Sequence, residues 1–141
     1  MLVQSNMLPL GTLAPAFRLP DMNDRGAIKT FLELSGVRGT WVMFLCNHCP
    51  FVKHIQSELV ACAKTYLAQG VGVIAISSND VEAFPDDAPE AMTQEAKDQG
   101  YPFPYLYDIS QATAREYQAA CTPDFYVFDD AHRCVYRGRF D

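Results

Sequence analysis

Residues 41–50 read Trp41-Val42-Met43-Phe44-Leu45-Cys46-Asn47-His48-Cys49-Pro50. The run Trp41–Leu45 is continuously apolar, and its length and residue types predict a strand that is buried on both faces, as in parallel sheets. A helix is predicted over 50–67, because apolar side chains recur at steps of three and four and Gly70 follows as a stop signal. These apolar side chains are Val52, Ile55, Leu59, Cys62 and Tyr66. The pair Cys46 and Cys49 is therefore expected where a buried strand ends and a helix begins.

This junction favours thiolate chemistry at Cys46 and Cys49. Unpaired backbone N–H groups and the helix dipole favour negative charge at a helix N-terminus, where cysteine pKa values fall from about 8.5 to about 3.5–7.5. His48, Lys53 and His54 add hydrogen-bond donors or positive charge nearby. We expect Cys46, at the exposed end, to attack a disulfide, and Cys49, one turn deeper, to resolve the mixed disulfide.

A metal site is the main alternative interpretation of the same residues. Cys46, His48 and Cys49 are ligands for soft metals and would suit a non-enzymatic copper- or zinc-binding module. The sequence contains no second Cys-x-x-Cys and no His-x-x-x-His to complete a zinc set. A strand–turn–helix context is the one that a redox Cys-x-x-Cys motif requires, so the context favours redox chemistry.

The rest of the chain alternates predicted strands with predicted helices. They are a buried strand at 71–76, a polar helix at 89–98, a short strand at 105–107, a helix from Ser110 to about Gln118, and a β-hairpin formed by 125–128 and 134–137. Two prolines in 11–20 leave room only for a short edge strand near 17–19, and the type of segment 27–34 stays open. This order predicts an α/β fold whose sheet contains parallel strands, in a single domain over 1–141.

Composition excludes several classes of protein. The chain has 141 residues and a net charge of −6, which argues against a nucleic-acid partner, since such proteins need a basic face. Seven acidic residues and one lysine between Asp80 and Asp98 account for this charge; such a run is typically a solvated face, with a docking surface for a basic partner as the alternative. No apolar run approaches the roughly 18 residues of a membrane span, and Met1–Leu10 lacks the basic start of a secretory signal. With an odd number of cysteines, five in all, these features predict a cytoplasmic protein.

Several motifs together resemble the thioredoxin-like redoxins. The Cys-x-x-Cys-Pro sequence at a helix start and the dipeptide Thr122-Pro123 before the last hairpin are similar to a thioredoxin fold. The opening segment Gly11–Pro20 resembles that of the redoxin branch, which includes AhpC/TSA peroxiredoxins and TlpA-like thiol–disulfide oxidoreductases. Segments 46–54, 77–80 and 121–125 resemble a bacterial subfamily of redoxins with a Cys-Asn-His-Cys-Pro motif. The resemblance implies a central mixed sheet flanked by helices, with a redoxin-type N-terminal extension.

The resemblance also implies residue roles. Cys46 matches the nucleophilic cysteine, Cys49 the resolving cysteine, Pro123 the cis-proline that packs against the disulfide, and Thr122 the residue whose backbone pairs with a bound substrate. It implies a thiol–disulfide oxidoreductase in antioxidant defence and cell redox homeostasis, with a protein or small-molecule disulfide substrate, a thiol electron donor and no cofactor. His48 takes the place that histidine has in oxidising relatives, with potentials of about −120 and −180 mV against about −270 mV for thioredoxin. We therefore expect a couple more oxidising than thioredoxin.

Three departures from the resemblance matter. Thr40 stands where thioredoxin has a buried acid, so proton uptake by Cys49 must use another group or water. The peroxidase signature Pro-x-x-x-Thr-x-x-Cys is absent, which leaves a peroxiredoxin-like peroxide reductase as an alternative function. The chain stops at Asp141, soon after the predicted hairpin, where a thioredoxin fold normally adds a helix. We expect either a fragment that lacks the final helix or a different cover on one sheet face.

Residues outside the motif give weaker signals. Cys121 is expected near the site, either as a packed residue or as a third thiol that exchanges with the motif. Cys62 and Cys134 are expected to pack in the core, as free cysteines commonly do. Asn79 and Asp80 follow a predicted central strand, at the edge where open α/β sheets bind ligands, although capping a turn is the simpler role.

Overall fold

In the computed structural model the described residues are 8–47, 50–78, 88–119 and 123–138. Within these ranges seven strands form one mixed sheet. The strands are β1 (Arg18–Asp21), β2 (Ala27–Thr30), β3 (Gly39–Phe44), β4 (Val71–Ser77), β5 (Tyr105–Tyr107), β6 (Asp124–Phe128) and β7 (Cys134–Gly138). The helices are α1 (Phe31–Leu34), α2 (Pro50–Ala68), α3 (Pro89–Gln99) and α4 (Ala112–Glu116). The strand order across the sheet is β2-β1-β5-β4-β3-β6-β7.

The centre of the sheet is parallel, as predicted. β3 pairs with β4, and β4 with β5, in parallel. β6 runs antiparallel to β3 and forms the predicted hairpin with β7. Every residue of β3 is buried, which confirms the prediction of a strand covered on both faces. The mixed α/β sheet flanked by helices confirms the fold class expected from the sequence.

Two apolar layers cover the two faces of the sheet. Trp41 and Met43 of β3 lie in the cluster that contains the buried side chains of α2 and α3. Val42 and Phe44 lie in the opposite cluster, which also contains the N-terminal residue Leu8. This alternation follows from the two-residue period of a strand. The second face is thus covered by α1, α4 and N-terminal residues.

The predicted helix over 50–67 corresponds to α2. Its side chains Val52, Ile55 and Leu59 are buried, as the periodic pattern predicts. Tyr66, at the far end of this stripe, is 43% exposed and contacts the ring of Trp41 edge-on. α2 is therefore buried against the sheet from Val52 as far as Ala63, and its exposed part is its last turn.

The strand predicted near 17–19 is present, but the prediction that it lies at the edge of the sheet is wrong. It corresponds to β1, which lies between β2 and β5. Pro20 is tolerated there because β5 pairs with β1 at only one position, Asp21 with Leu106. The open segment 27–34 divides into β2 and α1, and the division is made by a capping box between Thr30 and Glu33.

The last predicted helix is shorter than expected, and Ser110 is not its N-cap. α4 is capped by Gln111, whose φ of 63° lies in the left-handed region. The Ser110 hydroxyl nevertheless accepts a hydrogen bond from the backbone of Ala112 at 3.3 Å. The helix ends before Gln118 because that residue also has a left-handed φ, of 56°. A left-handed residue after the last turn is a common way to end a helix.

Candidate active site

The cysteine motif begins at the carboxyl end of β3. The N–H of Leu45, directly after β3, donates to the carbonyl oxygen of Ile76 in β4 at 2.9 Å. Cys46 follows and lies in the same apolar cluster as Val52 of α2. The predicted strand before the motif and the predicted helix after it are therefore confirmed. His48 and Cys49 lie outside the described residues.

Cys46 is 1% exposed, which contradicts the expectation that it lies at an exposed end. The backbone continues along β4 for one residue beyond β3, as the Leu45–Ile76 hydrogen bond shows. The next residue consequently stays inside the cluster between the sheet and α2. In this conformation the thiol is protected, and an external disulfide reaches it only when covering groups move aside.

Asn47 is fixed by a tyrosine from another strand. The Tyr105 hydroxyl donates to Oδ1 of Asn47 at 2.8 Å, and Asn47 is only 4% exposed. The backbone N–H of Tyr105 donates in turn to Oδ1 of Asp21 at 3.0 Å. The turn after Cys46 is thereby tied to β5, two strands away from β3 in the sheet. No local sequence pattern assigns a role to Asn47 or Tyr105.

A second buried polar pair lies on the same face of the sheet. Nε2 of Gln56, in α2, donates to the hydroxyl oxygen of Tyr101 at 2.9 Å. The pKa of Tyr101 is raised to about 12, chiefly by burial. The hydrogen bond from Gln56 acts in the opposite direction, whereas negative charges at Glu95 and Cys46 also raise the pKa. The hydroxyl is therefore protonated at neutral pH. It also lies close enough to Cys46 for a thiolate there to act on it electrostatically.

Thr40 occupies the position where the resemblance places a buried acid. It is fully buried in β3, and its Oγ1 accepts a hydrogen bond from the N–H of Gly36 at 3.2 Å. The hydroxyl therefore satisfies a loop amide and offers no titratable group behind the motif. This agrees with the expectation that proton uptake must use another group or water.

Pro123 is half-buried and lies at the same end of the sheet as Cys46. The reason is the antiparallel register of β3 and β6, in which Phe44 pairs with Asp124. Pro123 directly precedes Asp124, and Cys46 lies two residues after Phe44, so both are at this end of the sheet. Thr122 and Cys121 lie outside the described residues, as do Asn79 and Asp80.

A cleft of about 310 Å³ opens beside the motif, between the start of α2 and α3. All of its lining residues except Ala91 are polar or charged, and the charges are of both signs. The lining residues are Asn47, Lys53, Ala91, Gln94, Glu95 and Asp98. The cleft is thus continuous with the turn that follows Cys46.

The other described cysteines pack as predicted. Cys62 is half-buried against the α2 cluster, and Cys134 is buried in the opposite cluster. Burial raises the pKa of both thiols; at Cys134 a hydrogen bond to the backbone of Tyr136 and the charge of Arg137 act in the opposite direction. Both thiols are therefore held in the protonated, unreactive form.

The described residues contain no group of three metal-ligating side chains. Of the three proposed metal ligands, Cys46 lies within the described residues, whereas His48 and Cys49 lie outside them. Measuring bound copper and zinc distinguishes a metal site from a redox site. No helix in the described ranges is both long and apolar enough to cross a membrane.

Comparisons with known proteins give one family and several similar solved structures. Residues 10–137 match the AhpC/TSA family. An uncharacterized conserved protein from Geobacillus kaustophilus is 52% identical, with a TM-score of 0.95 over 99% of this chain and 73% of that chain. A hypothetical protein from Sinorhizobium meliloti is 46% identical, with a TM-score of 0.93 over 98% of this chain and 74% of that chain. The comparison with curated proteins gives no match.

A more distant structure shares the fold. A thiol-disulfide oxidoreductase from Bacteroides fragilis has a TM-score of 0.75 over 92% of each chain at 20% identity. At this identity the likeness concerns the fold alone. It agrees with the thioredoxin-like arrangement expected from the sequence, in which a central mixed sheet carries helices on its faces.

Proposed function

Because the chain belongs to the AhpC/TSA family, we propose that it is a thiol–disulfide oxidoreductase that works through Cys46 and Cys49. The observation that carries the proposal is the place of Cys46, two residues after the end of a fully buried central strand and four residues before the long helix α2. A helix N-terminus stabilises a thiolate, and a cysteine three residues away is within reach to form a disulfide.

The proposed reaction has two thiol–disulfide exchange steps. The Cys46 thiolate attacks one sulfur of a substrate disulfide, whose S–S bond breaks, and half of the substrate leaves as a thiolate that takes up a proton. The Cys49 thiolate then attacks the Cys46 sulfur, and the second half leaves as a thiol. Two electrons pass from the protein to the substrate, and a thiol donor restores the dithiol. In this proposal Thr122 and Pro123 hold the substrate backbone beside the mixed disulfide.

The neighbourhood of Cys46 limits which groups move protons. Thr40 is not titratable, and Tyr101 stays protonated at neutral pH because its pKa is raised to about 12. We therefore assign proton uptake to water rather than to a buried base. His48 is proposed to tune the couple, so that its potential lies above the roughly −270 mV of thioredoxin. A cytoplasmic location and a part in antioxidant defence belong to the same proposal.

Disulfide reduction driven by dithiothreitol tests the function. The wild-type protein should reduce insulin and hydroxyethyl disulfide catalytically, and Cys46→Ser should lose the activity by at least about a hundredfold. Cys62→Ser is the matched control, because Cys62 is half-buried on α2, the helix that follows the motif, and burial raises the pKa of its thiol. Stoichiometric copper or zinc without disulfide turnover would favour the metal-binding module. Turnover of peroxide in place of disulfides would favour the peroxide reductase.

A further inference from the structure

We propose that the cleft between α2 and α3 binds small disulfides with amino-acid ends, meaning ends that carry both an ammonium and a carboxylate group. The inference rests on the proposed function and names its substrate class. The cleft is lined by Asn47, the residue that follows Cys46, so that a ligand bound there lies beside the redox motif.

The size of the cleft favours a small ligand. Ligand pockets in proteins typically span about 300–1,000 Å³, so a cleft of about 310 Å³ lies at the lower limit. The burial of Cys46 also favours a small substrate. A residue that is only 1% exposed needs a smaller opening to meet a low-molecular-weight disulfide than to meet a disulfide on a folded protein.

The charges of the cleft fit an amino-acid end. Lys53 offers an ammonium group to a ligand carboxylate, and Glu95 offers a carboxylate to a ligand ammonium group. Among the described residues neither of them takes part in a salt bridge, since Lys29 holds both salt bridges found there. Asp98 is already engaged, because its Oδ1 accepts a hydrogen bond from Nε2 of Gln94 at 2.7 Å. The hydrogen bond leaves Asp98 charged but engages one of its oxygens, so we assign the two anchors to Lys53 and Glu95.

Asn47 connects the cleft to the redox motif, because it lines the cleft and directly follows Cys46 in the chain. Its Oδ1 is held by the Tyr105 hydroxyl, so its position relative to the sheet is set by a buried hydrogen bond. A disulfide anchored by one amino-acid end in the cleft would present its S–S bond toward Cys46. Exchange then proceeds as proposed above: one disulfide and the protein dithiol give two small thiols and the protein disulfide, with two electrons transferred.

Four small disulfides that differ in their charged groups test the ammonium and carboxylate contacts one at a time. Cystine carries both groups, cystamine only ammonium, dithiodipropionate only carboxylate, and hydroxyethyl disulfide neither. The measurement is the second-order rate constant for oxidation of the reduced protein in a single turnover, quenched by acid and read by mass. Each constant is divided by that of the same disulfide with dithiothreitol, which removes differences in intrinsic reactivity. We expect cystine to exceed hydroxyethyl disulfide by about tenfold after this normalisation, as two partly exposed ion pairs allow.

Charge-neutralising variants test the two anchors. Lys53→Met should reduce the preference for cystine and dithiodipropionate over hydroxyethyl disulfide by at least about threefold. Glu95→Gln should do the same for cystine and cystamine. The matched controls are Lys64→Met, an exposed lysine farther along α2, and Glu116→Gln, an exposed acid on α4. Both controls should keep the wild-type ratios.

The outcomes separate this inference from the function on which it rests. If neither insulin nor any of the four small disulfides oxidises the protein, the proposed function and the inference both fail. If all four react at equal normalised rates, or if the Lys53 and Glu95 variants keep the wild-type ratios, the inference alone fails. Faster reaction with insulin than with every small disulfide would also overturn it, in favour of a protein substrate.

Discussion

Replacing Tyr105 with phenylalanine removes one oxygen from the centre of the protein, and it should loosen the turn that follows Cys46. The ring of Tyr105 is fully buried, so phenylalanine keeps its packing. The hydroxyl donates to Oδ1 of Asn47 at 2.8 Å, and Asn47 is buried as well. The variant therefore takes a donor away from a side chain that has little access to water.

The expected loss follows from that geometry. A buried polar group that loses its partner costs about 1–3 kcal/mol. The middle of this range, about 2 kcal/mol, lowers the melting temperature of a domain of this size by roughly 6 °C. If Cys46 becomes accessible through a local opening that breaks this hydrogen bond, the same free energy increases the rate of alkylation by up to about 30-fold.

Chemical denaturation gives the stability, and mass-resolved alkylation with iodoacetamide gives the rate at Cys46. Tyr66→Phe is the matched control, because the Tyr66 ring is 43% exposed, and its stability should change by less than about 0.5 kcal/mol. A double-mutant cycle with Asn47→Ala isolates the pair. If Tyr105→Phe costs as much in the Asn47→Ala background as in the wild type, the hydrogen bond is not the cause and the reasoning is refuted.

The remaining predictions concern the core and the pH dependence. Gly72→Ala should lower the free energy of unfolding by at least about 2 kcal/mol, because its Cβ would lie 2.3 Å from the carbonyl oxygen of Leu34; unchanged urea unfolding would contradict this. Leu59→Ala, at a fully packed site on α2, should cost about 2–5 kcal/mol in the same assay. Burial raises the pKa of Tyr101 to about 12, against about 10 in the unfolded chain, so this contribution to stability is complete below pH 10 and is lost as the pH rises toward 12. Urea unfolding should show a lower free energy of unfolding at pH 11 than at pH 9, and the decrease should be smaller in Tyr101→Phe. An equal decrease in the two proteins would contradict the assignment to Tyr101.

The elements that the sequence predicted well depend on local patterns. Residues 41–45 are apolar throughout, and β3 is buried on both faces. The predicted short strand at 105–107 coincides with β5, and Gly100 ends α3 with a left-handed φ of 63°. Such signals lie within a few residues of the structure they specify, so one sequence is enough to find them.

The features that the sequence did not predict depend on distant partners. Asn47 and Tyr105 are 58 residues apart, and nothing near either one signals that they meet. The inner position of β1 depends on β2, which covers its outer edge. The burial of Cys46 depends on the register between the end of β3 and β4. Motif spacing identified the cysteine, but only the packed sheet shows how it is covered.

Trapping the mixed disulfide on Cys49→Ser protein tests the central claim most directly. The reduced variant is mixed with a small disulfide, quenched with acid and mapped by mass, with Cys62→Ser/Cys49→Ser as the matched control. The proposed mechanism predicts one stable adduct, on Cys46, in both proteins, whereas the wild type resolves it into a disulfide between Cys46 and Cys49. No adduct on Cys46, or an adduct that forms on Cys62 or Cys134 instead, would contradict the account.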